Sequence, residues 1–384
     1  MKVLLAPDKF KGSLTAAQVA HHLGTGLAAR GISTSGLPLA DGGDGSVEAA
    51  TAAGYQTIPI TVSNALGEKH QATAAFDGTT AVIEVANTCG LHTLPAGTLA
   101  PLDASSRGIG EAITEMLELG ATRLVLALGG SASTDGGAGM LAALGAVFLD
   151  KAKQPITDIA GGTLGQIRSI DTSRLTDLSH LDIVIASDVQ NPLTGPDGAA
   201  AVYGPQKGAS PAIVNTLDTG LTHLIHYLTV AGQPNAARYA ATPGAGAAGG
   251  IGFAGLLLGG RTVSGADYFL DLLDFETHLQ GCDLVITGEG RMDDQTLNGK
   301  LPAIVAKRAG QIPVIAVVGR SDITTAAQKQ MGIEAVHAIS EHTDQNPASD
   351  PALSARLLEH LGRTIPLPQR TASGAAADPS TVTV

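Results

Sequence analysis

The chain has 384 residues, enough for about two domains, and a formal charge of −12, because 35 Asp and Glu outnumber 23 Lys and Arg. Such a surface repels nucleic acid and anionic membranes, which excludes both as expected partners. The 49 glycines cluster after apolar runs without a collagen-like period, which is typical of the turns of an α/β protein.

The N-terminal region alternates between predicted strands and helices. A strand over Met1–Ala6 precedes a helix from Thr15 to about Arg30, with Ser13 as its N-cap, and a strand over Ser33–Leu39 precedes a helix over Ser46–Ala53. This alternation predicts a parallel sheet with helical crossovers.

The middle of the chain has a different pattern. Short turns join predicted strands over Tyr55–Val62, Gln71–Phe76 and Thr80–Val85, and buried strands over Arg123–Leu128 and Asp182–Ala186 follow a helix over Ser106–Leu119. Close turns between strands indicate antiparallel pairing, so this region predicts a mixed sheet.

Strand and helix alternate again after Cys282, with strands over Asp283–Thr287 and Pro313–Val318 and a helix over Leu301–Ala309. We therefore predict two α/β domains with a cleft between them. One is a flavodoxin- or Rossmann-like parallel sheet formed by both chain ends, and the other is an inserted mixed-sheet domain. The predicted boundaries are 1–60 plus 285–370, 61–284, and a disordered tail over 371–384.

A Gly-rich loop over Gly129–Gly137 follows a predicted strand and opens a helix. Converging backbone N–H groups and a helix N-terminus favour phosphate there. Ser131, Ser133 and Thr134 offer hydroxyls, and Asp135 could hold Mg²⁺ through water. An ordinary Gly-rich turn before a capped helix would have the same pattern.

Two further loops carry carboxylates after strands. Asp41 and Asp44 stand among the glycines of the loop that ends at Gly45, which suits Mg²⁺ or a base for a substrate hydroxyl, or else a turn that caps the next helix. Asp188 and Asn191 could share a metal or a polyol, or form an Asx turn before a proline. Lys207 adds charge nearby, although alone it is a weak signal.

Basic residues follow the first strand and the strand after Cys282. Lys9 and Lys11 suit a carboxylate or a phosphate, and Arg291 suits bidentate contact with either anion. Lys300 opens the next helix. Surface lysines in a solvated loop and a salt-bridged arginine are the alternative interpretations.

The stretch Gly244–Gly249 matches the spacing of the dinucleotide-binding fingerprint. No good strand precedes it, so a nicotinamide site is a minor alternative and a flexible loop near a ligand is the favoured one. No GxxxxGK[ST] sequence is present, which excludes a P-loop kinase.

The loop sequences together resemble the bacterial type-one glycerate kinase family. The matching stretches are Ala6–Leu14, Ala40–Gly45, Gly129–Gly137, Ser187–Leu193 and Thr287–Arg291. The resemblance extends to about Ile339. It implies transfer of the γ-phosphoryl group of ATP to D-glycerate, with Mg²⁺, and it implies 2-phosphoglycerate as the product. The alternatives are a nicotinamide-dependent hydroxy-acid dehydrogenase and a non-catalytic metabolite sensor.

Positioning and charge neutralisation dominate phosphoryl transfer, which gives each loop an expected role. The candidate catalytic residues are Asp41, Asp188 and Lys9; the candidate glycerate ligands are Lys11, Asp44, Arg291 and Asn191; the candidate ATP ligands are Gly130, Ser131, Ser133, Thr134, Gly136 and Lys300; the candidate metal ligands are Asp188, Asp135 and Glu289.

The two cysteines, Cys89 and Cys282, lie far apart without CxxC spacing, which excludes a disulfide framework and favours a reducing, cytoplasmic location. No apolar run is long enough for a membrane helix. We expect the protein to be a monomer or a homodimer. We expect its binding partner to be a small molecule, the substrate glycerate.

Overall fold

The computed structural model describes residues 1–293, 296 and 300–368. The chain divides into two compact units. The terminal unit consists of Met1–Leu37, Glu276–Asp294 and Val305–Val384, and the inserted unit consists of Pro38–Phe275 with Gln295–Ile304. By its contacts the Asp41–Gly45 loop belongs to the inserted unit, while the sequence-based boundaries near 60 and 284 stay a prediction. The tail predicted over 371–384 lies outside the described residues.

The described residues form fifteen strands of two to eight residues each. In chain order they are β1 (Lys2–Pro7), β2 (Ser33–Gly36), β3 (Gln56–Ser63), β4 (Lys69–Phe76), β5 (Thr80–Glu84), β6 (Arg123–Ala127), β7 (Val147–Leu149), β8 (Ser169–Asp171), β9 (Asp182–Ala186), β10 (Arg261–Val263), β11 (Leu284–Gly288), β12 (Arg291–Met292), β13 (Val314–Val318), β14 (Arg320–Ser321) and β15 (Ala335–Ala338).

Helices separate most of these strands. They are α1 (Ala16–Ala28), α2 (Ser46–Ala52), α3 (Val85–Cys89), α4 (Arg107–Glu118), α5 (Ala138–Ala143), α6 (Ala199–Tyr203), α7 (Pro211–Val230), α8 (Ala236–Ala240), α9 (Ile251–Leu257), α10 (Gly265–Leu272), α11 (Phe275–Leu279), α12 (Leu301–Ala309), α13 (Thr325–Gln330) and α14 (Pro351–Thr364). Among the described residues, none of these helices combines the length and the apolar character needed to cross a bilayer.

The terminal unit is built on a five-stranded sheet in the order β15-β13-β11-β1-β2, and all of its pairings are parallel. Val3 pairs with Leu284 in register, and both are fully buried because apolar side chains cover both faces of the sheet. This is the flavodoxin-like strand order, which confirms the predicted sheet formed by both chain ends. Its strand order reverses between β1 and β11, where such sheets bind ligands.

Two helices of the terminal unit pack closely because glycines replace side chains at their contact. A Cβ added at Gly26 of α1 would overlap the carbonyl oxygen of Glu359 in α14, and the Cα of Gly362 is also within van der Waals reach. Glycine weakens a helix at an interior position, but here it allows the two helices to approach closely.

The inserted unit is built on a six-stranded sheet in the order β10-β9-β6-β5-β4-β3. The β3-β4 and β4-β5 pairings are antiparallel, whereas β5, β6, β9 and β10 run parallel. This confirms the predicted mixed sheet. The parallel strands carry fully buried residues such as Leu124 and Val125. In such sheets the polar groups of ligand sites lie in the loops that follow the carboxyl ends of the strands.

Two local predictions differ from the structure. The N-cap of α1 is Thr15, whose hydroxyl accepts from the backbone of Gln18 in a capping box, whereas the predicted cap Ser13 lies in the preceding turn. The second strand ends at Gly36 instead of Leu39, because Pro38 has no N–H with which to continue the ladder.

Candidate active site

The Asp41–Gly45 loop lies across the carboxyl edge of the inserted sheet. A Cβ on Gly42 would lie 2.7 Å from the carbonyl oxygen of Ala186, the last residue of β9, and Gly43 lies against Gly129 directly after β6. Glycine is needed at Gly42 also because its φ is +82°. The loop backbone therefore packs directly on the ends of two parallel strands.

This packing brings Asp41 and Asp188, which the sequence predicted as catalytic, to the same edge. Asp188 accepts hydrogen bonds from the N–H groups of Gly265 (3.0 Å) and Ala266 (3.3 Å) at the start of α10. Burial raises the pKa of the Asp188 carboxyl to about 6, the Ser264 hydroxyl opposes the shift, and the negative charge of Asp41 adds to it. Asp188 can thus exchange a proton near neutral pH.

Asp44 borders an open pocket of about 420 Å³ on the same unit. Glu48, Glu84 and Asn87 share its lining with several threonines. Glu84 is buried at the end of β5 and accepts from the backbone N–H groups of Gly45 (3.2 Å) and Val47 (3.1 Å). Glu84 is not among the residues predicted from the sequence, although its place at the carboxyl end of a strand was a usable signal.

The Gly129–Gly137 loop is accessible only at its start. Gly130 is exposed and Gly129 is half-buried, whereas every residue from Ser131 to Gly137 is buried. The hydroxyls of Ser133 and Thr134 are fully buried and have no hydrogen-bond partner among the described residues. The predicted hydroxyl ligands Ser131, Ser133 and Thr134 are therefore buried, and only Gly129 and Gly130 are accessible to a ligand.

Asp135 is enclosed by donors. Its carboxylate accepts from the backbone and the hydroxyl of Ser106 (both 2.8 Å) and from the backbone of Gly137 and Gly139 (both 3.1 Å). Burial raises the pKa of Asp135 and these donors oppose the shift. The side chain is fully buried, and these hydrogen bonds tie the loop to the first turn of α5; the metal role of Asp135 stays a prediction.

Lys207 enters this loop from a distant part of the chain. Its side-chain nitrogen donates to the hydroxyl of Ser131 (2.9 Å) and to the carbonyl oxygen of Ser133 (2.6 Å). Only 2% of the residue is exposed, and burial lowers the pKa of Lys207 to about 8. In the sequence alone this lysine is only a weak signal.

Asn191, a predicted glycerate ligand, uses both ends of its amide within its own loop. The Asn191 nitrogen donates to the carbonyl oxygen of Asp197 (2.8 Å), and its oxygen accepts from the hydroxyl of Tyr203 (2.7 Å). Contacts of this kind fix the loop and leave the amide little capacity for a ligand.

In the terminal unit, the predicted basic residues follow β1 at the strand-order reversal. Lys9 is paired with the buried Asp8, its nitrogen lying 3.3 Å from the carboxylate, whereas Lys11 is exposed. Gly288, the last residue of β11, lies against the ring of Phe10, and Gly290 in the loop after it lies against the backbone of Phe10 and Lys11. The two loops are therefore packed together at the end of the sheet.

Arg291 is engaged by acidic neighbours. Its guanidinium lies 2.8 Å from the carboxylate of Asp322 and 3.8 Å from that of Asp293. This is the salt-bridged alternative that the sequence left open. Glu289 is half-buried in the loop after β11, and Lys300 directly precedes α12.

The fingerprint-like stretch Gly244–Gly249 follows the short helix α8 instead of a strand. A Cβ on Gly249 would overlap the carbonyl oxygen of Ser133, and Gly249 accepts from the backbone N–H of Gly136 (2.9 Å). Its glycines are thus explained by close packing against the Gly129–Gly137 loop.

Comparisons with known proteins agree with these features. A model described as the glycerate kinase family matches residues 3–366. A glycerate kinase of Bacillus subtilis and a glycerate 2-kinase of Escherichia coli are each 42% identical to this chain, over 88% of it and 90% of their own length. A crystal structure from Salmonella typhimurium LT2, provisionally named glycerate kinase 2, has 37% identity and a TM-score of 0.71, covering 94% of this chain and 97% of that one.

Proposed function

The chain belongs to the glycerate kinase family, a family of phosphotransferases, and we propose that it transfers the γ-phosphoryl group of ATP to the 2-hydroxyl of D-glycerate, giving 2-phosphoglycerate. The family supports ATP as the phosphoryl donor. The name of the Escherichia coli relative supports the 2-hydroxyl as the acceptor.

The observation that carries the chemistry is the pair of carboxylates Asp41 and Asp188 at the carboxyl edge of the inserted sheet. A hydroxyl must lose its proton as it attacks phosphorus, and a base works best when its pKa is close to the operating pH. Burial and the charge of Asp41 raise the pKa of Asp188 to about 6. Asp188 would therefore be largely ionised at neutral pH and able to accept that proton.

The same pair has the ligand chemistry that Mg²⁺ requires. Among the described residues, no group of three or more His, Cys, Asp or Glu side chains is arranged to hold a metal. Mg²⁺ at kinase sites is commonly bound through one or two carboxylates together with substrate phosphates, so Asp41 and Asp188 fit it. When bound, Mg²⁺ would neutralise charge on the transferred phosphoryl group.

The loops of the terminal unit offer positive charge for an anion. Lys11 is exposed, and Gly290 of the loop after β11 packs against its backbone nitrogen. We propose that Lys11 contacts the carboxylate of glycerate, while Lys9, which is held by Asp8, adds positive potential nearby.

The proposal is tested by ³¹P NMR of the product formed from D-glycerate, ATP and Mg²⁺. We expect a single monophosphate ester with the resonance of authentic 2-phosphoglycerate and an equal amount of ADP. The matched variant Asp188→Asn should lose at least about 100-fold in kcat, the lower range for a positioned general base.

Three outcomes would contradict different parts of the proposal. An ester at the 3-hydroxyl would reject the 2-hydroxyl and keep the kinase. Binding of glycerate and ATP without any ADP would reject catalysis and indicate a metabolite sensor. Near-normal turnover of both Asp188→Asn and Asp41→Asn would reject the role of the carboxylate pair.

A further inference from the structure

Lys207 has a charged side chain in a buried environment, where a charge is energetically unfavourable. It ends a short turn over Pro205–Lys207, and Gly208, with φ of +93°, reverses the chain directly after it. The side chain is almost fully buried. A buried ammonium group is costly unless it is paired and hydrogen-bonded, and an apolar residue of similar volume often serves stability as well or better. Stability alone therefore does not explain a lysine here.

All the polar contacts recorded for this ammonium group lead to the Gly129–Gly137 loop. It donates to the hydroxyl of Ser131 and to the carbonyl oxygen of Ser133, which are separated by a single residue. The titratable groups that face it are Asp135, from the same loop, and Cys89, from α3. Asp135 is the larger of the two influences that raise the pKa of Lys207, and Cys89, whose own pKa burial raises to about 12, is the smaller.

The loop that Lys207 holds is already packed on its other sides. Asp135 ties it to Ser106 and to the first turn of α5, and Gly249 lies against its backbone at Ser133. The accessible end is Gly129–Gly130, which lies against Gly43 in the loop that carries Asp41. Lys207 is thus connected through two hydrogen bonds to the segment that leads to the candidate site.

We propose that Lys207 is a positioning residue that fixes the Gly129–Gly137 loop in the conformation that receives the phosphates of ATP. The inference rests on the proposed function, because it assumes a phosphate-binding role for this loop. Lys207 contacts no substrate in this scheme and acts through Ser131 and Ser133. Its effect should therefore fall on the KM for ATP more than on the KM for glycerate.

The test compares Lys207→Met, which keeps the length and removes the charge, with Lys207→Arg and with Lys151→Met, an exposed lysine of the same unit. Steady-state kinetics with each substrate varied, together with thermal unfolding, are measured for all of them. We expect Lys207→Met to raise the KM for ATP at least about tenfold, as for loss of hydrogen bonds to a charged group. Lys207→Arg should recover part of the loss and Lys151→Met should match the wild type.

A second readout uses the wild-type protein and does not depend on any variant folding. The kcat/KM for ATP reports the pKa values of the free enzyme. Because burial lowers the pKa of Lys207 to about 8, kcat/KM for ATP should decline above about pH 8. In Lys207→Arg that decline should move to higher pH, because a guanidinium stays protonated.

The proposal is overturned if Lys207→Met keeps the KM for ATP within about twofold, or if it changes only the melting temperature. A rise confined to the KM for glycerate would also overturn it, because the loop would then serve the other substrate. If Lys207→Met does not fold, a wild-type kcat/KM for ATP that stays flat from pH 7 to 10 has the same consequence. A wild-type protein without kinase activity would reject the proposed function instead, so the two failures are distinguishable.

Discussion

Replacing Asp188 by Asn should stabilise the protein while it impairs catalysis. The pKa of this carboxyl rises from 3.8 to about 6 on folding, roughly 2 pKa units, which corresponds to about 3 kcal/mol of penalty for the charged form. Asparagine carries no charge, but it has only one acceptor oxygen for the two N–H groups of Gly265 and Ala266. That loss costs about 1 kcal/mol, so a net gain of about 1–2 kcal/mol is expected at pH 8.

The sign of the pH dependence is fixed by linkage. A carboxyl with a raised pKa binds more protons in the folded chain, so the stability of the wild type falls as pH rises from 3.8 towards 6. At pH 4.5 about 1 kcal/mol of the penalty remains, and the lost hydrogen bond offsets it. The advantage of Asp188→Asn should therefore be present at pH 8 and nearly absent at pH 4.5.

Thermal unfolding in metal-free buffer at the two pH values measures this difference. An advantage of about 1–2 kcal/mol corresponds to a rise in Tm of a few degrees at pH 8. Asp41→Asn is the matched variant, because it removes the neighbouring charge and leaves Asp188 titratable. A difference in Tm between Asp188→Asn and the wild type that is the same at both pH values would refute the argument.

Three further predictions concern other parts of the chain. Gly249→Ala should lower the free energy of unfolding, measured in urea, by at least about 2 kcal/mol, because its Cβ would overlap Ser133. Gly259→Ala, which has a similar φ and open space around it, should lower that free energy by less. Equal losses would contradict the packing argument. Lys11→Ala should raise the KM for glycerate about tenfold without a change in Tm, because the side chain is exposed; an unchanged KM would reject its contact with glycerate. Chelation of Mg²⁺ by EDTA should abolish turnover, and readdition should restore it; persistent turnover would reject the metal.

The fold was predictable because its signals are local. The strand Asp182–Ala186 and the helix Leu301–Ala309 have the bounds that the sequence predicted, and glycines after strands marked the carboxyl ends of the strands in both sheets. The same loops led to the prediction of Asp41 and Asp188 as site residues, since a parallel sheet gathers the residues that follow its strands. Position after a strand does not give side-chain direction, however, so the burial of the Asp135 carboxylate could not be predicted from the sequence.

The missing parts of the site depend on contacts between residues far apart in the chain. Lys207 meets Ser131 across 76 positions, and no pattern near either residue indicates the partner. Glu84 likewise acts 39 positions away, on the N–H of Gly45. In such cases burial and hydrogen bonding, which require the folded chain, decide the role, while residue type and spacing leave it open.

The stretch Gly244–Gly249 shows that spacing alone can also suggest a site whose structural context is absent. A dinucleotide site needs its glycines between a strand and a helix, so that the pyrophosphate meets the helix N-terminus. Here α8 precedes the glycines, and Gly249 is needed for contact with the carbonyl oxygen of Ser133. The stretch whose spacing would have favoured a dehydrogenase therefore packs against the Gly129–Gly137 loop. A glycine-rich backbone can contact another backbone as closely as it can contact a phosphate, because in both cases no side chain intervenes.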